Sequence, residues 1–249
     1  MIEIINLCKN FGEHKVLDNL NLTINTGETT VIIGRSGCGK SVLLKHIIGI
    51  LKPDSGQVIV DGKDVTKLSS KELNAVRMKF GMLFQGAALF DSLNVWENVG
   101  FGLLEHAHTS KKEILTRVSE CLNLVGLGGI EDLKPAELSG GMRKRVGLAR
   151  AICMKPEIIL YDEPTTGVDP IMGDAINNLI MELHDKLKVT SIAVTHDMIS
   201  AYKIADKVAM LYNGKIITVG TPDEIKSTED PVVKQFIYGE AEGPITRNG

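Results

Sequence analysis

Three glycines, a lysine and two serines fall within one short stretch, Gly34-Arg35-Ser36-Gly37-Cys38-Gly39-Lys40-Ser41-Val42. Glycines let a main chain wrap closely around an oxyanion, and the free N–H groups of a following helix then point at it with the helix dipole behind them. An ammonium at Lys40 suits the β- and γ-phosphates of a nucleotide, and a hydroxyl at Ser41 suits Mg²⁺. A second signal is the apolar run Ile158-Ile159-Leu160-Tyr161, which ends in Asp162-Glu163. Acids at a strand end sit where ligands of open α/β sheets bind. Asp162 suits the metal, and Glu163 suits the polarising of an attacking water. A third signal is Leu138-Ser139-Gly140-Gly141-Met142 ahead of a predicted helix, a second helix start fit for an anion. One nucleotide cannot easily use two such helix starts on either side of a helical lobe. Two chains facing each other can, each lending its second site to the other's nucleotide.

These residues need a frame. Ile2, Ile4 and Leu7, then Val16-Leu17, Leu20, Leu22 and Ile24, alternate with polar residues and predict half-buried antiparallel strands. Thr30 to Ile33 is a β-branched run that predicts a strand buried on both faces, leading into the glycine loop. Leu43, Leu44, Ile47, Ile48 and Leu51 have helical spacing, predicting a helix over 40–50. Further strands are predicted at 57–60, 80–84, 158–160, 189–195, 208–212 and 215–219, the last two joined by the hairpin signal Asn213-Gly214. Residues 95–153 read as mostly helical, with one helix capped by Ser110 and reaching about Val125, and a second starting after Gly140-Gly141 and running to about Met154. Pro170 is placed just inside a helix that ends near Lys188, and the tail from Asp230 reads as a short helix followed by a polar, extended end. Strands alternating with helices predict an α/β fold with a mostly parallel sheet covered on both faces, and the helical block at roughly 86–154 reads as an inserted lobe.

Composition narrows the function classes. The 249 residues allow one large domain or two small ones, and 28 Lys+Arg against 31 Asp+Glu give a net charge of −3. That balance argues against nucleic acid as a partner. Arg143-Lys144-Arg145 is a short basic run read as a solvated or interface face. No apolar run approaches the ~18 residues of a membrane span, and the N-terminus lacks a signal-peptide layout. Cys8, Cys38, Cys121 and Cys153 lie far apart with no CxxC pair, a reduced pattern rather than a disulfide framework or zinc site. His106 and His108 lack a third ligand, and Cys38 reads as a tolerated small side chain of the glycine loop.

The motifs, in this order, resemble those of the nucleotide-binding subunit of an ABC transporter over nearly the whole chain. The resemblance implies a P-loop NTPase with a RecA-like mostly parallel sheet, an antiparallel β subdomain and an inserted helical subdomain. Residues 1–238 would form the ATPase domain and 239–249 a C-terminal extension. It also implies roles. Phe11 stacks on adenine, Gly34 to Val42 hold the phosphates of ATP, and Ser41, Gln85 and Asp162 hold Mg²⁺. Glu163, Gln85 and His196 act on the attacking water and γ-phosphate. Ser139, Gly140, Gly141 and Met142 face the nucleotide of a second copy, and Asp169 lies in the loop that crosses between copies.

Met142 stands where the family usually has glutamine, and Thr166-Gly167-Val168-Asp169 replaces the commoner Ser-Ala-Leu-Asp. With Lys40-Ser41-Val42-Leu43-Leu44-Lys45-His46, Phe84 to Phe90 and the tail Phe236 to Pro244, these departures are similar to the ATPases of Mla/Mce-type lipid transporters. That branch implies a motor for phospholipid transport at the cytoplasmic face of the inner membrane, held there by a multi-pass membrane permease. It also implies a tail that reaches over the neighbouring ATPase. A lipid-binding Mce-type subunit and a small regulatory subunit are further candidate partners. The competing readings are an importer ATPase for a polar solute such as an amino acid, and a module that binds ATP without hydrolysing it. A soluble ABC ATPase of DNA repair or translation needs long coiled coils or two ATPase lobes, for which 249 residues leave no room.

Overall fold

The computed structural model describes residues 1–106 and 110–247, so His108 lies outside it. The chain divides into two compact units, Met1–Val76 with Ile192–Gly249, and Arg77–Ser191. It opens with β1 (Ile2–Phe11), β2 (His14–Ile24), β3 (Thr29–Ile33), α1 (Lys40–Ile47), β4 (Ser55–Val60), β5 (Lys63–Asp64) and α2 (Ser70–Arg77). The second unit contributes β6 (Phe80–Leu83), α3 (Val95–His106), α4 (Lys111–Leu124), a 3₁₀ turn at Pro135–Glu137, α5 (Gly140–Cys153), β7 (Ile158–Asp162) and α6 (Pro170–Leu187). The chain ends through β8 (Thr190–Thr195), α7 (Met198–Ile204), β9 (Lys207–Tyr212), β10 (Lys215–Gly220), α8 (Pro222–Lys226), α9 (Pro231–Tyr238) and α10 (Pro244–Arg247).

In the first unit β2-β1-β4-β5 form an antiparallel sheet. Its alternating sequence buries Ile2, Ile4, Leu7, Leu20, Leu22 and Ile24. A second strand set runs β10-β9-β3-β8, with β3 parallel to β9 and β9 antiparallel to β10. Every residue of β3 and of β8 is buried, as a strand covered on both faces requires. The two sets are tied where the Asp18 amide donates to the Gly214 carbonyl at 2.9 Å, at the tip of the predicted Asn213-Gly214 hairpin.

In the second unit β6 and β7 pair in parallel, with Gly81 opposite Ile159. α4 starts as predicted: the Ser110 hydroxyl accepts from the Glu113 amide, and the Glu113 carboxylate accepts from the Ser110 amide at 2.9 Å. α5 lies against β6 with no room to spare, since a Cβ on Gly81 would sit 2.2 Å from the Ala151 carbonyl oxygen. Gly81→Ala therefore pushes α5 off the strand that leads to Gln85. Overpacking against rigid backbone costs about 1–3 kcal/mol, and at about 2–4 °C per kcal/mol the thermal midpoint is expected to fall by about 2–12 °C in a melting scan.

Two expectations are corrected. The tail is not extended after its short helix. Instead α10 folds back on α9, where the Gln235 Oε1 accepts from the Ile245 amide at 2.7 Å and Ile245 is buried. The Arg143-Lys144-Arg145 run is not wholly solvated either, because Lys144 is buried with 5% of its surface exposed. The short helices α2, α7 and α8 had no predicted counterpart.

Candidate active site

The predicted residues fall into two groups, one in each compact unit. In the first unit β3 runs straight into the glycine loop. Gly34 has φ +154°, and a Cβ there would meet the Leu211 carbonyl oxygen at 2.5 Å and the Cys38 sulfur at 2.9 Å. α1 opens at Gly39, φ +106°, with no side-chain cap and no acid in its first turn. A helix start without a side-chain cap, fronted by three glycines, is a fitting cradle for phosphate. The Lys40 ammonium, buried in the loop, donates to the carbonyls of Gly34 at 2.7 Å and Arg35 at 3.1 Å. Ser41 and Val42 follow in the first turn of α1.

Phe11 ends β1 as a half-exposed ring, 49% of its surface open, which excludes a core role. The Lys9 ammonium lies 5.6 Å from the ring centre and is itself held by Asp54 at 2.9 Å. His196 follows β8 on an exposed turn that its neighbours lock. The Asp197 amide donates to the Thr195 hydroxyl at 3.0 Å, and the Asp197 carboxylate caps α7 by accepting from Ile199 and Ser200.

The second unit holds the acids. Asp162 ends β7, and Glu163 follows it at 8% exposure with φ +48°, a left-handed conformation uncommon outside glycine. The Thr166 hydroxyl donates to the Glu163 Oε2 at 3.2 Å. Ser139 caps α5 by accepting from the Met142 amide at 3.2 Å, so this loop is formed before any partner arrives. Asp169 is engaged in the same way. Its Oδ1 accepts from Ile171 and Met172 at 3.0 Å each and starts α6, with Pro170 in the first turn. Gln85 is exposed just past β6. A cavity of about 190 Å³ brings together Gln85, Gly140, Lys144, Thr166 and Gly167. A larger groove of about 900 Å³, lined by Arg117, Glu120, Arg145, Met172 and Glu182 among others, contains none of the predicted residues.

Sequence reasoning missed Lys144 and Thr166. Lys144 donates from Nζ to the carbonyls of Gln85 and Glu163, the latter at 3.1 Å. Burial pushes its ammonium below the usual lysine value, while the nearby carboxylates of Asp162 and Glu163 push the other way. A lysine amid a basic run carried no sign of this. Thr166 lies three residues past Glu163, a spacing at which a turn brings hydroxyl to carboxylate, and this signal was readable.

The family described as ABC transporter matches residues 17–166, from β2 through the glycine loop and the acid pair to Thr166. The chain belongs to the ABC transporter family. It is similar to an ABC cassette, MJ0796, solved as a dimer in a post-hydrolysis state with ADP and Pi. That similarity has a TM-score of 0.82 and 34% identity over 89% of this chain and 99% of that one. Two curated relatives match over nearly the whole of this chain. The intermembrane phospholipid transport ATP-binding protein MlaF of Haemophilus influenzae is 43% identical over 98% of this chain and 93% of its own length. A probable ribonucleotide transport ATP-binding protein of Mycobacterium tuberculosis is 44% identical over 98% of this chain and 68% of its own length. As an ABC cassette the chain binds and hydrolyses ATP. Among the described residues no helix is long and apolar enough to cross a membrane.

Proposed function

We propose that this ABC ATPase drives phospholipid transport through a multi-pass membrane permease at the cytoplasmic face of the membrane. The observation that carries the cargo is the MlaF match, which spans 93% of that relative. The ribonucleotide-named relative is as similar but extends well beyond the matched region. A polar solute is therefore the reading to be tested against.

Two copies close over two nucleotides. In each copy Lys40 and the amides of Gly34 to Val42 grip the phosphates, and the Phe11 ring stacks on the base. Ser41, Gln85 and Asp162 would hold Mg²⁺, which supplies charge neutralisation between the phosphates when bound. Hydroxyl, amide oxygen and carboxylate are the hard oxygen donors this ion takes. Glu163 orients the attacking water and takes its proton, and His196 holds the γ-phosphate. Ser139 to Met142 of the second copy complete the site, with Asp169 at the crossing between copies. The permease meets the segment from Gln85 to Phe101, which exposes the rings of Phe90 and Phe101 in contact at 4.8 Å. Exposed aromatics in a patch mark an interaction surface. A lipid-binding Mce-type subunit and a small regulator would complete the assembly.

Purification of the tagged chain from native membranes in mild detergent, followed by mass spectrometry of proteins and lipids, tests this. The expected result is a multi-pass permease, a membrane-anchored lipid-binding subunit and enriched phospholipid. A permease with a solute-binding protein and no lipid enrichment would replace the cargo while leaving the ATPase assignment intact.

A further inference from the structure

We propose that Lys144 is a positioning residue that couples the Gln85 loop to the Glu163 carboxylate, one buried ammonium holding the main chain of both. The inference rests on the roles proposed for Gln85 and Glu163 and adds the link between them.

The two carbonyls that Lys144 holds come from segments 59 and 19 positions away in the chain. Neither is an ordinary stretch of backbone. The Glu163 carbonyl belongs to a residue at φ +48°, and the loop after Gln85 continues through Ala87 at +60° and Ala88 at +46°. Left-handed conformations at residues other than glycine persist only where the surroundings hold them. α5 supplies that hold. Lys144 grips Gln85 and Glu163, and Arg150 donates to the carbonyls of Ala87 and of Ala88, the latter at 2.7 Å. Between them Gly147 lets α5 lie close, since a Cβ there would meet the Leu83 side chain at 2.8 Å and the Ala87 Cβ at 3.2 Å.

The chemistry fits a positioning role rather than an ion pair. The hydrogen bonds that Lys144 donates to Gln85 and Glu163 go to carbonyls, so the ammonium fixes where the main chain of Glu163 sits, and with it the direction in which the carboxylate leaves. The carboxylates of Asp162 and Glu163 offset the cost of burying the charge. Lys144 also stands one turn into α5 from Ser139 to Met142. A shift of that helix start therefore reaches Gln85 and Glu163 together. The cavity shared by Gln85, Gly140, Lys144 and Thr166 gives the arrangement space to shift.

The test uses the full chain with Lys144→Met and Lys144→Gln. It measures kcat and KM for Mg-ATP, and hydrogen exchange in the segments 84–88 and 163–166. Lys144→Met is expected to lower kcat by about tenfold or more, as misplacement of a catalytic group does, with KM within about twofold. Exchange should rise in both segments together. Lys144→Gln keeps two N–H donors and should restore protection of both segments and most of kcat. A Met variant with native kcat overturns the proposal. So does faster exchange in one segment alone, or equal loss of kcat and of protection throughout 95–153, which marks a merely structural role. If the Met variant does not fold, the Gln variant decides by whether the two segments change jointly or singly. If Glu163→Gln retains turnover, the catalytic reading of Glu163 falls, while a joint change in exchange would still establish the link.

Discussion

Replacing Glu163 by glutamine stops turnover while leaving ATP bound. Glu163 is 8% exposed and its backbone is held left-handed, with the Thr166 hydroxyl 3.2 Å from Oε2. The side chain is thus aimed by its surroundings rather than free to search. Glutamine keeps size and shape and still accepts from Thr166 through its amide oxygen, but it cannot take a proton from water. General-base catalysis contributes about 10²–10⁴-fold, and a loss of kcat in that range is expected with the Kd for ATP changed less than about threefold. With hydrolysis blocked, the ATP-bound pair should accumulate as a dimer on gel filtration. Native kcat in this variant would remove Glu163 as the base that takes the water's proton.

Lys40→Ala has the opposite signature, a loss of binding before chemistry. The ammonium is buried and held by the carbonyls of Gly34 and Arg35 at 2.7 and 3.1 Å, on the inside of the loop where phosphate oxygens would arrive. Hydrogen bonds to charged groups are worth about 1.5–3 kcal/mol each. Two such bonds to phosphate give about 3–6 kcal/mol, or roughly 10²–10⁴ in Kd at tenfold per 1.4 kcal/mol. Isothermal titration with ATP under the same salt for both proteins reads this directly. An affinity within about twofold of native would remove Lys40 from the site. The two variants separate binding from hydrolysis, and only a chain in which each fails in its own way works as described.

What the sequence made legible is what is local. The glycine loop needs a buried strand on one side and a helix on the other, and all three are consecutive, so pattern alone found them. The Ser110 cap was legible for the same reason, since cap and first turn are neighbours in the chain. Phe11 could be read either as core or as exposed, and only the structure, with half of its ring open, excludes the core. Lys144 was misread because its environment is built by residues 59 and 19 positions away. Nothing in Arg143-Lys144-Arg145 says which of three cations turns inward. The tail was misread on composition. The polar residues after the short helix suggested extension, but Gln235 within α9 is buried and holds them with both ends of its amide, donating to the Glu240 carbonyl and accepting from the Ile245 amide.

Beneath the glycine loop, the close approach of Gly34 to the Leu211 carbonyl means that the loop rests on the end of β9. β9 continues through Asn213-Gly214 into β10, and Gly214 is fastened to Asp18 of β2. The shape of the loop is thus settled as the chain folds, by strands far from it in sequence. A loop with so little freedom left has little entropy to surrender when a ligand arrives. Nucleotide affinity is in that sense an inherited property of the hairpin, and substitutions drifting through β9 and β10 would retune it without altering a single residue of the motif.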